Sequence, residues 1–156
     1  MGEQMALGDF MEDNRPARTK PDKQGRQANT TGNAAEAAIV GVLHSKGIVF
    51  MRQQKIGKGL YRSDVKVDFY ISPCKRLPKG LIIESKWQQS GGSVDEKYPY
   101  LVQNIKRYYP SPCIVVVDGG GYKPGAVEFL RNQVDGVRLI AVQTISEFLT
   151  WSNRNL

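Results

Sequence analysis

Two short runs of β-branched and aromatic residues, Val65-Lys66-Val67-Asp68-Phe69-Tyr70-Ile71 and Leu81-Ile82-Ile83-Glu84-Ser85-Lys86, constrain the fold of this chain more than any other feature. Side chains of these shapes fit a pleated, half-buried surface, so each run reads as a strand. The connection, Ser72-Pro73-Cys74-Lys75-Arg76-Leu77-Pro78-Lys79-Gly80, is dense in turn formers and returns the second run antiparallel to the first. Fifteen residues separate Asp68 from Glu84, and the reversal folds Asp68 back toward it. Strand alternation puts Glu84 and Lys86 on one face and Ser85 on the other. Two carboxylates and an amine are thereby gathered at the ends of two apolar strands.

The flanking sequence supplies helices. From Asn33, Ala35, Ala38, Ile39, Val42 and Leu43 recur at helical spacing until Lys46-Gly47, where glycine supplies the stop. Ile48 to Gln54 reads as a strand, and Lys55 to Ser63 as a glycine-rich basic loop leading to Asp68. Trp87 to Gly92 breaks regularity, and Ser93-Val94-Asp95-Glu96 has the form of a capping box. A helix follows through Tyr98, Leu101, Val102, Ile105, Tyr108 and Tyr109, with Pro99 positioned to kink or restart it. Cys113 to Val117 is a continuous apolar run, as in a strand buried on both faces. Pro124 suits a first helical position, with Val127, Leu130 and Val134 facing inward. Val137 to Val142 makes another strand, and Thr144-Ile145-Ser146-Glu147 is a capping box that opens a last helix through Trp151. The order is helix, three strands, helix, strand, helix, strand, helix, which predicts an α/β domain with a mixed sheet.

With 156 residues and 40% hydrophobic content, the chain fits one domain with one core, expected over 32–156. The preceding 1–31 is poor in aliphatics and, from Arg15 to Arg26, basic and proline-broken, so it is expected to be a disordered arm, either closing over a polyanion or an unremarkable tail. No apolar stretch approaches a membrane span and no leader pattern opens the chain, which predicts a cytosolic protein without membrane contact. Cys74 and Cys113 lack metal-site or disulfide-scaffold spacing and read as free thiols. The net charge of +7 favours a polyanionic partner, nucleic acid first, although charge alone also suits mere solubility. The single histidine, His44, excludes a two-histidine metal centre, and no Gly-x-Ser-x-Gly elbow is present for serine hydrolysis.

Phosphodiester hydrolysis needs an activated water, counter-charge for a pentacovalent phosphorus, and help for the leaving oxygen. A divalent ion on carboxylates supplies all three. Asp68 and Glu84 offer hard oxygen ligands suited to Mg²⁺, which keeps several waters of its own. Lys86 would stand beside such a water, orienting or deprotonating it and offsetting phosphate charge. The bland counterpart is an Asp, a Glu and a Lys that happen to end strands on an α/β surface.

These residues resemble the PD-(D/E)XK nuclease superfamily, with its restriction-endonuclease-like fold, over roughly Asn33 to Trp151. The αβββαβ core of that family matches the order above, and its signature is carried by Val67-Asp68 and Glu84-Ser85-Lys86, with Val67 in the usual proline position. The resemblance implies a DNA endonuclease that uses Mg²⁺, with Mn²⁺ as a substitute, and acts on double-stranded DNA. A homodimer is expected because one site cuts one strand. It also implies a metal-proximal role for Glu36 on the first helix, although Asn33 three residues earlier makes an Asn-x-x-Glu cap an equal reading. The alternatives are a non-catalytic DNA-binding or scaffold protein on the same fold and, within the enzyme class, a structure-specific junction resolvase.

Further candidates surround the trio. Gln88 continues the alternation of Glu84 and Lys86 toward water or phosphate, or is a solvated loop residue. Lys97 begins the next helix and either reaches a phosphate or is solvated. Lys55, Lys58, Tyr61 and Arg62 lie in the glycine-rich loop, suiting either DNA contact or a hairpin turn. Lys123 follows Gly119-Gly120-Gly121-Tyr122 ahead of a helix N-terminus, a place for phosphate or a plain strand-to-helix turn.

Overall fold

The computed structural model describes residues 23–87, 95–120 and 123–156. Helix α1 (Lys23–Ser45) presents the apolar stripe read from the sequence, with Ala35, Ile39 and Leu43 buried. It begins upstream of Asn33, so the last part of the arm, residues 23–31, continues the helix, while 1–22 lie outside the described residues. Pro21 is the last proline before it, and the glycines at 25 and 32 cost a helix less than a proline would. Gly47 closes the helix: its N–H donates to the His44 carbonyl and that of Ile48 to the Leu43 carbonyl, the pairing of a Schellman end.

The first strand differs from expectation. β1 (Met51–Lys58) starts after Ile48 and runs through residues read as loop, because its ladder with β2 (Asp64–Ile71) continues to Lys58 opposite Asp64. A bulge between Lys55 and Gly57 leaves Ile56 as the extra residue, and Gly57 pairs with Val65. The loop shrinks to a turn in which Gly59 N–H donates to the Ser63 carbonyl and Arg62 N–H to the Gly59 carbonyl.

β3 (Leu81–Trp87) lies antiparallel to β2, as the turn formers between them imply. β4 (Cys113–Asp118) is parallel to β3, and β5 (Leu139–Gln143) is parallel to β4, giving a five-stranded mixed sheet in the order β1-β2-β3-β4-β5. α2 (Tyr98–Arg107) follows a 3-10 turn at Asp95–Lys97, with Pro99 in its first turn rather than kinking it. The capping box expected at Ser93 lies outside the described residues. α3 (Pro124–Asn132) opens on its proline, and Val134, expected to face inward, falls beyond its end at 38% exposure. α4 (Ile145–Asn155) carries the predicted cap: Thr144 Oγ1 accepts from Glu147 N–H, and Glu147 accepts from Thr144 N–H.

The helices cover both faces of the sheet. α2 and α3 contribute Leu101, Val102, Ile105 and Leu130 to a core with Val67, Ile82, Val115 and Val117. On the other face α1 and α4 contribute Ile39, Leu43 and Phe148 to a core with Phe69, Ile71, Ile83, Ile114 and Val116. β4 is apolar because it is buried on both faces. β2 changes sides midway: Val67 belongs to the first core and Phe69 to the second, although strict alternation would put both on one face. Asp68 sits at that change. The β2–β3 ladder also ends there, at Phe69 opposite Ile83, while β3 continues along β4 to Trp87. The strands part at the carboxylate.

Gly80 sets how β3 enters. Its φ of +71° suits glycine, and a Cβ there would lie 2.6 Å from the Ile71 carbonyl oxygen and 2.8 Å from Ser111 Oγ. Gly136 has a similar φ of +72° but open space where a Cβ would stand. We therefore expect Gly80→Ala to lower unfolding free energy by about 2–4 kcal/mol and Gly136→Ala by about 1 kcal/mol, read from urea midpoints at constant slope.

Candidate active site

Where β2 and β3 separate, Asp68 takes up a backbone group the ladder has released. Its Oδ2 accepts the Ser85 N–H at 2.8 Å, and its Oδ1 accepts Nε2 of Gln53 on β1 at 3.2 Å. Glu84, one residue before Ser85, turns to the α2 side of the sheet and is 2% exposed. The hydroxyl of Tyr109, itself buried, donates to Glu84 Oε1 at 2.5 Å. Lys86 Nζ lies 3.5 Å from Glu84 Oε2 and 3.9 Å from Asp68 Oδ2. The three residues singled out by spacing and alternation are thus in one cluster.

Burial dominates the electrostatics. It pushes the Glu84 carboxyl up to about 7 against the opposing pull of Lys86, and the nearby Asp68 adds to the rise. Burial draws Lys86 downward, but Glu84 and Asp68 outweigh it and the net shift is upward, so the amine is an ammonium at neutral pH. Burial first, and then Glu84, raises the Tyr109 hydroxyl, which stays a donor. Burial likewise raises the free thiol of Cys113, which is inert beneath the site.

A cleft of about 400 Å³ opens over Glu84 and Lys86, lined also by Asp64, Lys97, Tyr100, Asn104 and Tyr109 among others. Asn104 is buried, and its Oδ1 accepts Leu60 N–H at 2.9 Å, tying the Gly59–Ser63 turn to α2. That turn holds Tyr61 at 76% exposure, stacked on Tyr100 with ring centroids 5.0 Å apart. Lys97 therefore shares a cleft with Glu84 and Lys86, and Tyr61 stands at its rim.

The other candidates are placed differently. Lys55 and Lys58 both pair with Asp64, at 3.6 and 2.6 Å, and Lys58 foremost holds the Asp64 carboxyl below its usual range. Arg62 is exposed in the turn with a φ of +59°. Lys123 is exposed at the start of α3, away from the cleft lining. Glu36 is bonded to the guanidinium of Arg52 on β1, and among the described residues it forms no three-carboxylate group with Asp68 and Glu84. Arg52 also lies over the Phe69 ring at 5.3 Å, which anchors it on that side of the sheet. Gln88 lies outside the described residues.

A family model for a PD-(D/E)XK nuclease superfamily domain matches residues 27–156. The chain belongs to that superfamily. Neither a curated protein nor a solved structure matches it. Membership agrees with the αβββαβ order and the mixed sheet, and it makes this a nuclease domain with the restriction-endonuclease-like fold. Val67, in the position the superfamily signature usually gives to proline, pairs with Gln54 across the ladder and is fully buried. No helix among the described residues is long and apolar enough to cross a membrane.

The donor set fits a hard divalent cation. The two carboxylates already share a cation in the ammonium of Lys86, and a divalent ion would favour the same oxygens. Among the described residues no group of three or more Asp, Glu, His or Cys converges. Asp68 and Glu84 are the two carboxylates here that could hold such an ion.

Two members of this site had no distinguishing mark in the sequence. Tyr109 followed the apolar spacing and looked like core; the one available signal was that a buried tyrosine hydroxyl needs an acceptor. Gln53 reads as an ordinary polar strand residue.

The raised carboxyl of Glu84 sets a sign for stability. The folded value, about 7, exceeds the ordinary 4.5, so its contribution is fully present below pH 4.5 and is lost as pH rises through 7. We expect Glu84→Gln, which mimics the protonated form, to be more stable than the parent at pH 8 by about 1–3 kcal/mol. The difference should shrink toward pH 5 in urea unfolding without divalent ions; a less stable variant at pH 8 would contradict the buried-charge account.

Proposed function

We propose that this domain is a Mg²⁺-dependent DNA endonuclease of the cytoplasm, with Mn²⁺ as a substitute ion. The observation that carries the reading is the Lys86 ammonium set against a buried Glu84 and a clamped Asp68, with Glu84 and Lys86 lining an open cleft. Asp68 and Glu84 would hold the ion. Bound there, it supplies Lewis acidity and a water acidified toward neutral pH. Lys86 would orient the attacking water and offset charge on the scissile phosphate. Tyr109 keeps Glu84 pointed into the cleft by its hydroxyl bond. Lys97 at the cleft and Arg62 beside the rim supply phosphate contacts, consistent with the +7 charge. Lys55 and Lys58 pair with Asp64 at the cleft lining and would contact DNA after release from it, whereas Lys123 does not line the cleft. Cutting both strands of a duplex calls for two copies related by a twofold axis, so a homodimer belongs to the reading.

Incubation of purified protein with supercoiled plasmid tests it. Nicking or linearisation is expected with Mg²⁺, absent with EDTA, and slowed about a hundredfold or more by Lys86→Ala. Tight DNA binding without cleavage under any divalent ion would sink the enzyme reading in favour of a non-catalytic DNA-binding protein.

A further inference from the structure

We propose that Gln53 is the positioning residue that fixes Asp68 as a cation ligand, an inference resting on the reading of Asp68 and Glu84 as metal ligands. Gln53 lies across the ladder from Asp68, between the pairs Arg52 with Phe69 and Gln54 with Val67. Its backbone has a φ of +49°, a left-handed value that residues with a Cβ rarely adopt. Among the described residues the other non-glycine case is Arg62, which makes a turn. Gln53 makes no turn, since strand continues on both sides of it. It is also exposed, so core packing does not force the conformation.

The conformation does deliver the amide to Asp68. With Ser85 N–H on Oδ2 and Gln53 Nε2 on Oδ1, each carboxylate oxygen has one donor and the plane of the group is fixed from both edges. The backbone donor holds one edge through the fold of β3. The other edge depends on Gln53 alone among these two. A neutral amide is the suitable donor there, because it orients the carboxylate without cancelling the charge a cation needs. A cation in that place would compete with the ion. The nearby Arg52 is instead engaged by Glu36 of α1 and by the Phe69 ring. Local strain held in place beside a reactive group is the pattern of a conformation retained for function.

Gln53→Gly separates the two roles, because glycine relieves the backbone while deleting the amide. Mg²⁺ and Mn²⁺ are titrated calorimetrically into the folded protein without DNA, and unfolding midpoints are measured without ions. The expected result is an unchanged or raised midpoint together with an affinity loss of about 10- to 100-fold. Gln53→Asn, which tolerates a left-handed backbone but is one methylene shorter, should lose affinity similarly. Wild-type affinity in both variants, with binding abolished by Asp68→Asn, overturns the role of Gln53 and leaves the ligand reading intact. Absence of Asp68-dependent binding in the parent overturns both, since Gln53 then has no ligand to position.

Discussion

A carboxylate at 2% exposure must be given inside the protein what water would otherwise supply, and Glu84 imposes that requirement on everything around it. Tyr109 answers with a hydroxyl and Lys86 with a charge. Asp68 comes close enough to make the problem worse, and its own oxygens are then taken by Ser85 N–H and Gln53. The geometry of β2 follows from this. If β2 stayed in register with β3 past Phe69, the Ser85 N–H would go to a strand carbonyl and Asp68 would have no fixed place. By parting there, the sheet turns a lost ladder bond into a clamp on a side chain.

The fold was legible where periodicity and local chemistry agreed. The apolar run at Cys113–Val117 is buried on both faces, the Thr144 box caps α4 with both reciprocal bonds, and the 72–80 connection reverses the chain. Boundaries slipped where no side chain marks them. Ile48, Val49 and Phe50 look strand-like and place the start of β1 too early; Ile48 instead packs in the core with Leu43 of α1, and Val49 is 87% exposed. The basic stretch from Lys55 reads as loop because it is rich in glycine, yet the ladder passes through it by a bulge at Ile56, with Gly57 opposite Val65. A bulge is a property of two strands and is not written in either one.

The candidate site divides along a similar line. Asp68, Glu84 and Lys86 were readable because alternation and one reversal suffice to bring them together. Glu36 was not, because its direction depends on the rotation of α1 over the sheet, and there it meets Arg52. Tyr109 and Gln53 were missed because each is defined by its partner: a tyrosine past the end of α2 becomes part of the site only when α2 packs over β3. The basic residues were legible as charge and not as surface, since Asp64 engages Lys55 and Lys58 while Lys97 faces the cleft.

Two local costs therefore sit side by side, a desolvated carboxylate on β3 and a left-handed backbone on β1, with Asp68 between them. The contacts of Glu84 with Tyr109 and Lys86 offset only part of its burial. Each is tolerated because the surrounding structure is overdetermined: β3 is paired on both sides through Ile83, Phe69 and Ile71 lie in a closed apolar core, and Arg52 ties β1 to α1 next to the strained residue. Placing charge and strain where a sheet is best supported is the arrangement expected if a preorganised ligand set, and not stability, is what this region of the chain has been selected to keep. The same reasoning explains why the clamp on Asp68 uses a backbone N–H and a neutral amide. Both hold direction without neutralising charge, while Lys86, on a flexible stem, brings a cation to 3.9 Å from Asp68 Oδ2.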